Sequence, residues 1–139
     1  MSARSFFDTN VLVYADDHGS PEKQARSIDL IAEHRLGGTA VLSLQILQEY
    51  FAITTRKLGT DPAVARRKIE VLSQLEIVTP TLDDLLAAID LHRAHQVSIW
   101  DALVVRAAQR SGCSVLLTED LQDGRAFDGV EVVNPFRRG

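Results

Sequence analysis

Cysteine is nearly absent. Cys113 has no partner in the chain, which excludes an intrachain disulfide and suits a reducing compartment. Proline is scarce too, at four residues, and no linker, repeat or low-complexity tract breaks the sequence. Its 139 residues suit a single domain over 1–139. No apolar stretch reaches membrane length, and Asp8 interrupts the apolar run near the start before it could form the core of a secretion signal. A soluble, cytoplasmic protein with no membrane partner is the expectation. A basic excess is also missing: 19 Asp and Glu face 15 Lys and Arg, for a net charge of −4. That excludes a protein holding nucleic acid on a simple basic surface. It does not exclude a nuclease, because divalent ions held by carboxylates can engage phosphate themselves.

What is present is a regular alternation of strand-like and helix-like segments, hydrophobic at 45% and charged at 24%. Strands are expected at Ser5–Phe7, Thr39–Ser43, Glu76–Thr79 and Ser114–Thr118, with a fifth at Val130–Val133. Between them lie a short helix at Asn10–Ala15 and a longer one opened by Ser20-Pro21 and closed at Gly37-Gly38. Further helices span Leu44 to Leu58 and Asp61-Pro62 to Leu72 or Leu75, and two more open at Thr81-Leu-Asp-Asp84 and Ser98-Ile-Trp-Asp101. Periodicity assigns core faces to Ala25, Ile28 and Ala32, to Leu44, Leu47, Phe51 and Leu58, and to Leu82, Leu85, Leu86 and Ile89. Trp100 reads as a packing residue. Such alternation specifies an α/β protein with a mostly parallel sheet of four or five strands, covered on both faces.

Four carboxylates stand at informative places: Asp8, Glu49, Asp101 and Asp120. Asp8 follows the first strand and Asp120 the fourth, so if these strands are parallel neighbours both acids emerge at the carboxyl edge, where open α/β sheets build their sites. Each has a structural alternative. Asp8 could cap the helix after it, Glu49 could be a solvated glutamate, and Asp101 could return a bond to Ser98 at capping-box spacing. Asp101 opens a segment apolar nearly all round, Ile99 to Val105, where a carboxylate needs a reason. Glu119 and Asp120 point different ways, so only one faces the crevice, and Asp123 reads as a turn residue. Together, one acid from each of two strand ends and one from each of two helix starts form a like-charge cluster that calls for a hard cation.

These residues resemble the PIN-domain ribonucleases over essentially the whole chain. Asp8-Thr9-Asn10-Val11-Leu12 matches the opening D-T-N/S motif, while Glu49, Ile99-Trp100-Asp101-Ala102 and Thr118-Glu119-Asp120 match the later acidic positions in order and spacing. The length and early first acid look most like the VapC-type toxins of bacterial toxin–antitoxin pairs. The resemblance implies a three-layer α/β/α fold and endoribonuclease activity dependent on Mg²⁺ or Mn²⁺. Asp8, Glu49, Asp101 and Asp120 would be the metal-binding acids, with Thr9, Asn10 and Thr118 as polar supports. Glu119 could substitute for Asp120 or assist it. It also implies an RNA substrate, a homodimer and a small cognate antitoxin.

Rival readings are weaker. A haloacid-dehalogenase-type phosphatase needs D-x-D on the first strand, but Asn10 holds the second place. A receiver domain needs an acid after the third strand and a lysine after the fifth, where Thr79-Pro80 and Asn134-Pro135 stand. A PIN-like module that binds RNA or protein without cleaving it is the alternative from another class. His92 and His95 lack further metal-ligating partners in sequence. Arg56-Lys57 and Arg66-Arg67-Lys68 could guide RNA or simply be solvated.

Overall fold

The structure, a computed structural model, describes residues 3–137. Arg138, expected with Arg137 in a basic tail, lies outside them. The order is β1 (Ser5–Phe7), α1 (Thr9–Tyr14), α2 (Pro21–Gly37), β2 (Ala40–Ser43), α3 (Leu44–Lys57) and α4 (Pro62–Leu72). There follow β3 (Glu76–Val78), α5 (Leu82–His95), α6 (Ile99–Arg110), β4 (Val115–Leu117), β5 (Ala126–Phe127) and β6 (Val130–Val133).

The sheet runs β3-β2-β1-β4-β6-β5. All pairings are parallel except β5 with β6. This gives six strands rather than four or five. The extra one is a two-residue strand folded back on β6 through Asp128 and Gly129, both at positive φ, the conformation a two-residue Asp-Gly hairpin demands. Right-handed crossovers place α1 to α4 on one face and α5 and α6 on the other, making three α/β/α layers. Contacts of α1 with α2 and α3, of α3 with α4, and of α5 with α6 agree. Phe6, Phe7, Val41, Leu42, Leu116 and Val132 fill the middle, as expected of strands buried on both faces.

Three helices present different faces from those periodicity assigns. On α2 the buried residues are Ser27, Leu30 and His34, whereas Ile28 is half exposed and Ala25 and Ala32 are exposed. On α3 they are Ile46, Leu47, Tyr50 and Thr54; Leu47 keeps its place, but Leu44 and Phe51 face outward. The largest difference is on α5, where Leu82, Leu85, Leu86 and Ile89 are exposed and Asp84, Ala88 and Leu91 are buried. The capping box is present, with Asp84 Oδ2 accepting from the Thr81 amide at 2.8 Å. From the opposing helix, Arg106 Nε lies 3.0 Å from Asp84 Oδ1 and Arg110 Nε 2.8 Å from Oδ2. These bonds fix the rotation of α5: the carboxylate goes inward to its arginines, and the leucines turn out. Trp100 is likewise no packing residue, at 66% exposure. The Ser20 hydroxyl makes no capping bond, although Pro21 starts the helix as expected.

Asp84→Ala strands two arginines beside a buried site and should cost about 3 kcal/mol, whereas Leu86→Ala on the exposed stripe should cost less than about 0.5 kcal/mol. Urea unfolding of both variants checks this, and the opposite ranking would show that α5 is rotated.

Candidate functional site

β1 and β4 are neighbours in the centre of the sheet, with Phe7 opposite Leu117. The chain leaves β1 toward β2 on one side, while β4 lies on the other, so the crevice between them is the topological switch point of the sheet. Asp8 and Thr118 are the first residues beyond these two strand ends. Asp8 serves as N-cap of α1, its Oδ1 accepting from the Thr9 amide at 2.8 Å. Its other oxygen, Oδ2, accepts from the Thr118 hydroxyl at 2.8 Å. The capping alternative is therefore present, but it uses only one oxygen of the carboxylate.

The remaining groups are fastened in the same way. Thr9 Oγ1 donates to Glu49 Oε2 at 2.7 Å, and Gln45 Nε2 donates to Glu49 Oε1 at 3.1 Å. Asn10 Nδ2 donates to Asp120 Oδ2 at 3.1 Å and lies 3.2 Å from Thr118 Oγ1. The Asp120 amide also donates to Thr118 Oγ1, at 3.1 Å. Asp8, Thr9, Asn10, Glu49, Glu119 and Asp120 thus line one cleft, joined by Tyr14, Asp17 and Lys57. Asp101 does not line that cleft. It stands beside it, its amide bonded to Ser98 Oγ at 3.0 Å, where the charges of Asp120 and Glu49 reach it.

Among the described residues, no three histidine, cysteine or carboxylate side chains come together closely enough to hold an ion between them. The four acids are neighbours rather than a closed cage, each drawn toward its own neutral donor. The fit to a cation rests on the type of donor: the cleft offers carboxylate and amide oxygen and neither histidine nor cysteine, the donors of a hard divalent ion that keeps several waters.

Electrostatics mark Asp8 as the strained member. Burial pushes its pKa from the ordinary 3.8 to about 6, against the bonds from Thr118 and Thr9 and helped by the charges of Asp120 and Glu49. Asp101 is raised too, chiefly by burial, with the Ser98 bond opposing. A divalent ion would relieve both.

Glu119 and Asp120 both line the cleft, where the sequence led one to expect only one of them, yet Glu119 does not compete for the position of Asp120. Its Oε1 accepts from the Tyr14 hydroxyl at 2.6 Å and its Oε2 from Lys23 Nζ at 2.8 Å. Sequence reasoning missed Tyr14 and Lys23. Tyr14 falls on the D-T-N helix, six residues after Asp8, but nothing local marks Lys23, which is 96 residues from Glu119. The histidines stay apart from the cleft: His92 bonds the Val97 carbonyl and His95 packs edge-on against Phe127. Asp123 is the expected turn residue, accepting from the Asn134 amide and pairing with Arg137.

The PIN-domain family model matches residues 5–126. The chain belongs to the PIN-domain family. No curated protein matches its sequence. Among solved structures, this PIN domain is similar to a toxin–antitoxin complex from Klebsiella pneumoniae, at 18% identity and TM-score 0.71, over 96% of this chain and 99% of that one. It is similar to the Sarcin-Ricin loop cleaving toxin VapC20 from Mycobacterium tuberculosis, at 20% identity and TM-score 0.67, over 81% and 86%. VapBC2 from Rickettsia felis, bound to a DNA fragment from its promoter, matches at 17% identity and TM-score 0.65, over 92% and 96%. At these identities the likeness is one of fold. Among the described residues, no helix of this PIN domain is long and apolar enough to cross a membrane.

The raised pKa of Asp8 has a definite sign. The stability that goes with its neutral form is fully present below 3.8 and is lost as the pH rises through about 6. Without divalent ions at neutral pH, Asp8→Asn should therefore stabilise the fold by up to about 3 kcal/mol, a gain that fades toward pH 4. Urea unfolding in EDTA across this range is the check; a destabilised variant at neutral pH would sink the idea.

Proposed function

We propose that the protein is a divalent-metal-dependent endoribonuclease, the toxin of a toxin–antitoxin pair. The observation that carries this reading is the convergence of Asp8, Glu49 and Asp120 on one cleft at the switch point, with Asp101 beside it and an oxygen-only donor set. Membership of the PIN-domain family and the likeness to toxin structures support it. Asp8, Glu49, Asp101 and Asp120 would hold Mg²⁺ or Mn²⁺. When bound, such an ion polarises a phosphodiester and acidifies water for in-line attack.

The chain's own residues do the rest. Thr118, Asn10 and Thr9 orient the carboxylates through neutral donors, which leave the charge of each acid available to a cation. Lys57, at the end of α3, lines the cleft as a cation for the phosphate backbone of an RNA. No histidine base or serine nucleophile is needed.

Two apolar surfaces support the proposed partners. A groove lined by Leu12, Ala15, Ile31, Tyr50, Val71 and Leu72 fits an apolar segment of a small antitoxin. The outward stripe of α5 offers a surface for a second copy, as in a homodimer.

Purified protein should cleave total RNA with Mg²⁺ or Mn²⁺ and lose the activity in EDTA. Asp8→Asn should remain folded and lower the rate by about 10² or more, in line with removing a group that orders the reacting centre. Undiminished cleavage by that variant would overturn the site, and metal-independent cleavage would overturn the mechanism.

A further inference from the structure

We infer that Lys23 is a positioning residue of this site: with the Tyr14 hydroxyl it occupies both carboxylate oxygens of Glu119, leaving Asp120 as the carboxylate that the turn after β4 presents to an ion. The inference rests on the reading of the cleft as a divalent-ion site.

Glu119 and Asp120 are consecutive residues lining the same cleft. A free Glu119 would be one more carboxylate at its mouth, able to draw a cation away from the switch point. Both its oxygens are instead occupied, one by Tyr14 at 2.6 Å and one by Lys23 at 2.8 Å. The ammonium is itself fixed from several directions. It lies 3.2 Å from the Tyr14 hydroxyl, 4.6 Å from the centre of the Tyr14 ring and 5.5 Å from that of Phe136. The two rings meet edge to face at 5.0 Å. Contacts with aromatic faces hold a cation in place while leaving its charge for the carboxylate.

This clasp also acts on Asp120. The Glu119 amide approaches Asn10 Oδ1 at 3.4 Å, while Asn10 Nδ2 donates to Asp120 Oδ2 at 3.1 Å. Drawing the Glu119 side chain toward α2 therefore sets the turn so that Asp120 meets Asn10. No other charged group bonds Glu119 among the contacts of the described residues, so Lys23 decides its direction.

The test uses Mn²⁺ binding, followed by the electron paramagnetic resonance of the free ion, beside RNA cleavage at saturating Mn²⁺. Lys23→Met releases Glu119 and removes a cation, so it should bind Mn²⁺ about threefold more tightly, the scale of one half-exposed charge pair. It should cleave about tenfold more slowly, because the ion is then held by the wrong acid. Lys23→Arg should stay near wild type. Adding Glu119→Gln to Lys23→Met should return both quantities toward wild type, and Tyr14→Phe, which keeps the ring, should shift them in the same direction as Lys23→Met. Unchanged Mn²⁺ affinity in a folded Lys23→Met variant overturns the inference, as does a double variant no closer to wild type than the single one. Wild type that neither binds Mn²⁺ nor cleaves RNA overturns the metal-site reading itself, and this inference with it.

Discussion

The Thr118 hydroxyl stands where everything else in the cleft meets. It donates to Asp8 across the β1–β4 junction, and it accepts from the Asp120 amide and from Asn10. One oxygen thus ties the ends of two parallel strands to both acids that emerge from them. It is wholly buried, so water does not compete for these bonds. Neutral donors matter here. A lysine in place of Thr118 would quench Asp8, whereas a hydroxyl orients it and leaves the negative charge in the site. Glu119, clasped by Lys23, is the contrasting case in which a carboxylate is neutralised as well as oriented.

The arginines answer a different need. Arginine outnumbers lysine by 12 to 3, which invites a phosphate-binding explanation, yet most of the arginines with a visible partner bond other groups of the same chain. Arg106 and Arg110 hold Asp84, Arg4 pairs with Glu76, and Arg66 pairs with Glu70. Arg26 and Arg125 donate to the Pro135 and His95 carbonyls, tying the C-terminal segment and the β5 approach to distant helices. Of the basic pairs singled out in sequence, Lys57 faces the cleft, while Lys68 is bound to Asp16.

What could be read from the chain was whatever depends on near neighbours. The strand ends at Asp8 and Thr118, the Thr81–Asp84 capping box, the Ser98 cap and the Pro21 and Pro62 helix starts are each settled by a few adjacent residues. The four acids were legible for the same reason, as residues placed just after strands or early in helices. Helix rotation was not. On α5 the leucine periodicity was real, but a buried ion pair with α6 outweighed it and turned the stripe outward. The fate of Glu119 was equally hidden, since its cation comes from a helix near the other end of the chain. The closing hairpin was written in Asp128-Gly129 and overlooked because the strand it returns has only two residues.

The bond between Thr118 and Asp8 joins residues 110 positions apart. During synthesis, the first strand and its D-T-N helix emerge early, with nothing to meet. β4 must be made and slotted in beside β1 before the cleft has its second wall. Parallel pairings over such distances are among the later and slower events of folding. A polypeptide still on the ribosome therefore carries one wall of the cleft without the other, and the two strand ends face each other only once the far half of the chain has been built.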